Sequence, residues 1–159
     1  MRCKIPWMTY YNAYICANYY NKMIYVTRKE HFNAAHKVWR AEWSDEKNTA
    51  VFGKCANKNW HGHNYDLYVT IKGEPNPETG FVADLKHLSK LIKSEIIEVL
   101  DHRNLNLDVP FMQGKMASTE ILAIEIWKQL LPHIVELGCN LHSIKLYETE
   151  NNFVEYFGD

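Results

Sequence analysis

The stretch that most constrains this chain is HGHNYDLYVTIK, His61 to Lys72. Tyr65, Leu67, Val69 and Ile71 alternate with polar neighbours, which is the period of a half-buried β-strand. Residues two apart on a strand share a face, so the same alternation carries His61 and His63 to one side. Two imidazoles presented together are half of a metal site. Zinc takes about four ligands in a tetrahedron, three of them from the protein when a position is left for water or substrate. A third donor therefore has to reach the start of this strand.

The rest of the chain supplies the frame. Ile24 to Lys37 reads as a long strand, followed by a polar, irregular loop through Trp60 that is rich in Lys and Asn. This strand and His61–Lys72 form a hairpin with a long functional loop. GEPNPETG is a turn built from Gly and Pro. Asp84 caps a helix in which Leu85, Leu88, Leu91, Ile92 and Val99 fall at helical spacing. Ser118 caps a second, carrying Leu122, Trp127, Leu130, Leu131 and Ile134, which Gly138 ends. Strands over Leu141 to Glu148 and Phe153 to Phe157 follow, joined by a Glu-Asn-Asn turn. The order is ββααββ, an α+β domain over residues 23–159. Two helices on one face of four strands leave exposed sheet edges, so a homo-oligomer is expected. Residues 1–22, with tyrosines at Tyr10, Tyr11, Tyr14, Tyr19 and Tyr20, are read as an extension outside that domain.

Composition narrows the partners. A formal net charge of -1 gives no reason to expect nucleic acid or an acidic membrane surface. No apolar run approaches the length of a membrane span. Cys3, Cys16, Cys55 and Cys139 are scattered without a framework spacing, as expected of free thiols in a reducing cytoplasm.

Among the remaining histidines, only His36 lies late in the strand that pairs with His61 and His63, which makes it the expected third ligand. His31 is five residues earlier and points to the opposite face. Cys55 admits three readings: a fourth ligand closing a structural site in a non-catalytic zinc module, a nucleophile or base beside an open catalytic site, or an inert buried thiol. Its polar flanks, including Lys54 and Lys58, weaken the last. Asp101-His102 directly follows the first helix, where an aspartate opposes the macrodipole, so Asp101 is expected to be held by something specific, such as an imidazole that it orients. Glu148 shares a strand face with Ile144 and Leu146. A carboxylate ending an apolar row is suited to accept two parallel N–H bonds from a planar, guanidine-like ligand.

FNAAHKV, FGKC followed by NWHGHNY, GFVADL, DHRNLNLDVPF, STE and LYETENN, in this order, resemble the 6-pyruvoyl-tetrahydropterin synthase family from Met23 to Asp159. The resemblance implies a T-fold, with protomers forming a trimeric barrel, two trimers stacking into a hexamer, and active sites between subunits. It implies Zn2+ on His36, His61 and His63, and Cys55 as catalytic base with Asp101 and His102 completing the proton relay. Glu148 would anchor the pterin, with Thr119 and Glu120 lining its pocket. The implied substrate is 7,8-dihydroneopterin triphosphate, which loses triphosphate and rearranges to 6-pyruvoyl-tetrahydropterin. The alternative is the related 6-carboxy-tetrahydropterin synthase of queuosine biosynthesis. Five residues separate Cys55 from His61, a longer spacing than in the queuosine-type members, which favours the pyruvoyl reading.

Overall fold

A computed structural model describes residues 23–158; the extension of residues 1–22, with Cys3 and Cys16, lies outside them. Two strands of 13 residues, β1 (Ile24–His36) and β2 (His61–Gly73), pair antiparallel from Ile24↔Gly73 to His36↔His61 without a break. Their alternation is the reason the register holds, because a one-residue slip would turn Phe32, Leu67, Val69 and Ile71 out of the core. At the histidine end the strands lie close. A Cβ on Gly62 would sit 3.1 Å from the Ala34 carbonyl oxygen.

The polar loop between these strands is not irregular throughout. It holds helix α1 (Asp45–Phe52) and a 3-10 turn, Gly53–Ala56. Ser44 caps α1 by accepting from the Lys47 backbone N–H, a start signal that the Lys and Asn content of the loop masks. Helix α2 (Leu85–Ile92) is capped by Asp84 as expected, and runs through a π-helical turn, Lys93–Ile97, into the short α3 (Glu98–Leu100). A short strand not foreseen from sequence follows: β3 (Arg103–Asn104) pairs parallel with Ala34 and Ala35. Helix α4 (Thr119–Glu136) starts at the Ser118 cap, and Gly138 just beyond it adopts a positive φ. Strands β4 (Asn140–Tyr147) and β5 (Phe153–Tyr156) complete a sheet of order β3-β1-β2-β4-β5.

The α+β expectation holds. The core joins Leu67, Val69, Ile71, Ile144 and Leu146 of the sheet to Leu88, Ile92 and Ile96 of the α2 segment and Leu122, Ile126 and Leu130 of α4. The opposite sheet face is, apart from the buried Ser143, exposed or half-buried, with polar contacts such as Lys29 to Asp66 and Thr27 to Thr70. One chain leaves this sheet open, with β5 at one edge and β1, covered only at Ala34 and Ala35, at the other. Among the described residues no helix is long and apolar enough to cross a membrane.

Candidate functional site

The hairpin register brings the three predicted histidines together. His36 is directly opposite His61, and His63 faces the small Ala34. The ring centroids of His36 lie 4.4 Å from His61 and 5.1 Å from His63, and those of His61 and His63 are 5.0 Å apart. One ligand atom from each lies within 4.8 Å of the others, a spacing that suits a shared metal ion.

Hydrogen bonding assigns the tautomer of His36. Its Nδ1 donates to the Ala117 carbonyl at 2.7 Å, which leaves Nε2 as a lone pair. His36 is 1% exposed, and its Nε2 and the Nδ1 of His61 are buried without a hydrogen-bond partner. Such orphaned atoms normally cost about 1–3 kcal/mol each, so their presence at one spot fits a cation that uses them. Burial holds all three histidines below their ordinary pKa, favouring the neutral form that binds metal.

Cys55 reaches the same place through its loop. Asn48 is fully buried and staples that loop: its Oδ1 accepts from the Arg40 N–H at 2.8 Å, and its amide donates to the carbonyls of Arg40, Trp43 and Ser44. The Val38 N–H then donates to the Cys55 carbonyl at 2.9 Å. The thiol itself is free and exposed, so the inert buried reading does not hold.

Glu148 stands one residue beyond β4, and its N–H donates to the Asn152 carbonyl. Its Oε1 accepts from the Thr119 hydroxyl at 2.9 Å and lies 3.5 Å from His36 Nε2 and 3.6 Å from His63 Nε2. Cys55, His36, Thr119, Glu120 and Glu148 line one cleft of about 440 Å³. Asn151 and Asn152 also line it, which sequence reasoning had read only as turn residues.

Asp101 and His102 are elsewhere. Asp101 Oδ1 accepts from the Asn33 N–H at 2.8 Å, and the other carboxylate oxygen lies 2.9 Å from His102 Nδ1. The Asn33 N–H and then His102 hold the Asp101 carboxyl below its ordinary pKa. His102 takes a positive φ of 58°, and its N–H donates to the Asn33 carbonyl. The aspartate thus orients an imidazole, as its awkward place after a helix suggested. The pair sits at the β1 edge, where His102 lines a second hollow with Asn33, Asn64, Arg103 and His63, and within one chain neither residue lines the Cys55 cleft.

Comparison with known proteins places this geometry. The family described as 6-pyruvoyl tetrahydropterin synthase matches residues 25–159. The 6-pyruvoyl tetrahydrobiopterin synthase of Homo sapiens is 42% identical over 134 residues, covering 84% of this chain and 91% of that one. The solved structure of Caenorhabditis elegans 6-pyruvoyl tetrahydropterin synthase superimposes with a TM-score of 0.82 at 34% identity, covering 88% of this chain and 99% of that one. A Rickettsia typhi 6-carboxy-5,6,7,8-tetrahydropterin synthase is more distant, at 27% identity over 84% of this chain and 99% of that protein. With the match running through almost the whole domain, in sequence and in fold alike, the chain is a T-fold protein and belongs to the 6-pyruvoyl tetrahydropterin synthase family.

Proposed function

We propose that the protein is a zinc-dependent 6-pyruvoyl-tetrahydropterin synthase, a lyase that converts 7,8-dihydroneopterin triphosphate to 6-pyruvoyl-tetrahydropterin and triphosphate. The observation that carries this reading is the single cleft onto which Glu148, Thr119, His36 and Cys55 open. The names of the more similar relatives favour the pyruvoyl product over the carboxy product.

In this reading Glu148 accepts two N–H bonds from the 2-amino-4-oxo edge of the pterin, a bidentate, charge-assisted contact. Thr119 uses one carboxylate lone pair and leaves the others for the ring. Glu120 forms part of the wall. Zinc held by His36, His61 and His63 would supply Lewis acidity toward the side-chain hydroxyls and so acidify the adjacent C–H. Cys55, as thiolate, takes that proton. Oxidation of the substrate's own side chain balances reduction of its ring, so no external reductant enters.

Asp101 and His102 complete the proton relay from a neighbouring subunit. They stand at the β1 edge, whereas the Cys55 cleft runs from His36 and Val38 to the β5 residues Phe153 and Val154 at the other edge of the sheet. Edge-to-edge packing in a homohexamer built from two trimers closes the barrel and brings such edges together. The free thiols of Cys55 and Cys139 suit a reducing cytoplasm.

Incubation with 7,8-dihydroneopterin triphosphate, with products identified by mass, tests the reading. 6-Pyruvoyl-tetrahydropterin and triphosphate are expected. 6-Carboxy-tetrahydropterin with acetaldehyde would assign the queuosine-type reaction instead, and no turnover by zinc-loaded oligomer would leave a non-catalytic zinc module.

A further inference from the structure

The opposed residues His36 and His61 form the last rung of the β1–β2 ladder, and the residues just beyond them, Lys37 and Trp60, are held by contacts outside it. Trp60 takes a positive φ of 66°, one of two non-glycine residues to do so among the described residues. A β-carbon crowds the backbone in that region, and a side chain as bulky as tryptophan rarely adopts it, so the position calls for a compensating contact. Its ring supplies one. The Lys37 ammonium lies 4.8 Å from the Trp60 ring centroid and 4.5 Å from that of Trp39, a cation shared by two aromatic rings.

The Lys37 backbone is pinned as well. Its N–H donates to Asn106 Oδ1, and its carbonyl accepts from Asn106 Nδ2, both at 2.9 Å. Along the same edge of β1 the carbonyls of Asn33 and Ala35 accept from the backbone N–H groups of His102 and Leu105. The chain then turns back, with the N–H groups of Leu107 and Asp108 donating to the Asn104 carbonyl. The Asn106 carboxamide, a side-chain copy of a peptide group, thus extends the pairing to the residue that follows His36. Lys37, Trp39, Trp60 and Asn106 are only half-buried and lie outside the apolar core, so core packing does not account for the arrangement. What it adjoins on both strands is a histidine of the triad.

We propose that Trp60 and Asn106, acting through Lys37, are positioning residues for the metal: they fix the backbone just beyond His36 and His61 and so hold the two imidazoles at ion-binding separation. A side chain's direction follows its backbone, so a loose Lys37 or Trp60 would let the neighbouring imidazole swing away from the shared position. This inference rests on the reading of His36, His61 and His63 as metal ligands.

Zinc titration of the full chain in competition with a chromophoric chelator, beside urea unfolding of the metal-free protein, tests it. Trp60→Gly relieves the left-handed strain while removing the ring, and Asn106→Asp keeps the acceptor for the Lys37 N–H but loses the donor to its carbonyl. Each should weaken zinc binding about tenfold, the lower end of the range for residues that orient a ligand without touching the ion. The urea midpoint of metal-free Trp60→Gly should not fall below that of the wild type. Lys37→Leu should match Trp60→Gly, and Lys37→Arg, which keeps a cation over the rings, should bind zinc as the wild type does. The visible bands of the cobalt(II)-substituted protein should shift in the weakened variants, because they report ligand geometry. Wild-type zinc affinity in Trp60→Gly and Asn106→Asp would overturn the proposal while leaving the histidine triad standing. A loss of zinc binding matched by an equal loss of metal-free stability would overturn it too, making the contacts structural only. Failure of the wild-type protein to bind zinc would remove the triad reading and this inference together.

Discussion

The two halves of β2 share one strand and one face but do opposite things. Leu67, Val69 and Ile71 are fully buried among the side chains of α2 and α4. Each contributes roughly 1.5–3 kcal/mol through removal from water. His61, His63 and Tyr65 continue the same face, yet they surround polar atoms that the protein leaves unpaired. An unpaired buried polar group costs about 1–3 kcal/mol. The apolar half thus stabilises a hairpin whose other half is built for a ligand. Substitutions should divide the same way, changing stability at one end and function at the other.

The largest expected effect lies at the functional end. Cys55→Ala should lower turnover about 10²–10⁴-fold, the range for removing a general base, while zinc content, oligomer and melting temperature stay unchanged. Loss of zinc in that variant, measured by elemental analysis, would make Cys55 a fourth ligand and break the comparison.

Ile71→Ala probes the other half. It should cost about 2–5 kcal/mol in denaturant unfolding through a core cavity, with one metal ion per chain retained. His63→Ala should do the reverse. It should abolish metal binding without destabilising the metal-free protein, since it deletes a desolvated imidazole rather than a packed apolar group. Full zinc in His63→Ala would remove the triad assignment.

Glu148→Gln should weaken pterin binding by about 1.5–3 kcal/mol, because the amide cannot accept both N–H bonds at an ionised group. Unchanged affinity by titration would leave Glu148 as no more than a strand end.

The smallest effect is a pH trend. Burial, above all, holds His36, His61 and His63 below the ordinary histidine pKa in the folded protein. Near and below that value the unfolded chain binds more protons than the folded one, so stability is lost as the pH is lowered. The melting temperature of metal-free protein should therefore drop as pH is lowered from 7.5 toward about 5. His36→Phe should flatten that slope, and an equal slope in both would place the titration elsewhere.

Much of this was legible in the chain because it is local. Alternation along HGHNYDLYVTIK dictated the strand and the shared face of His61 and His63, since a side chain's direction follows from its position in the pleat. Asp84 and Ser118 marked the helix starts through oxygens that accept from N–H groups two and three residues on. Helix α1 was hidden by its polarity, and β3 by its length of two residues. Only the tertiary structure decided what depends on distant segments. It set Ala117, 81 residues from His36, as the acceptor that frees Nε2, and Thr119 as the donor to Glu148, 29 residues away. It also drew Cys55 to the cleft through Val38 and set Asp101 and His102 beside Asn33 at the β1 edge, outside that cleft. Residue type and spacing specify what a side chain can do and which way it faces on its own element. Which other side chain it meets is set by how whole elements pack around one core, and that is a property of the assembled sheet and helices.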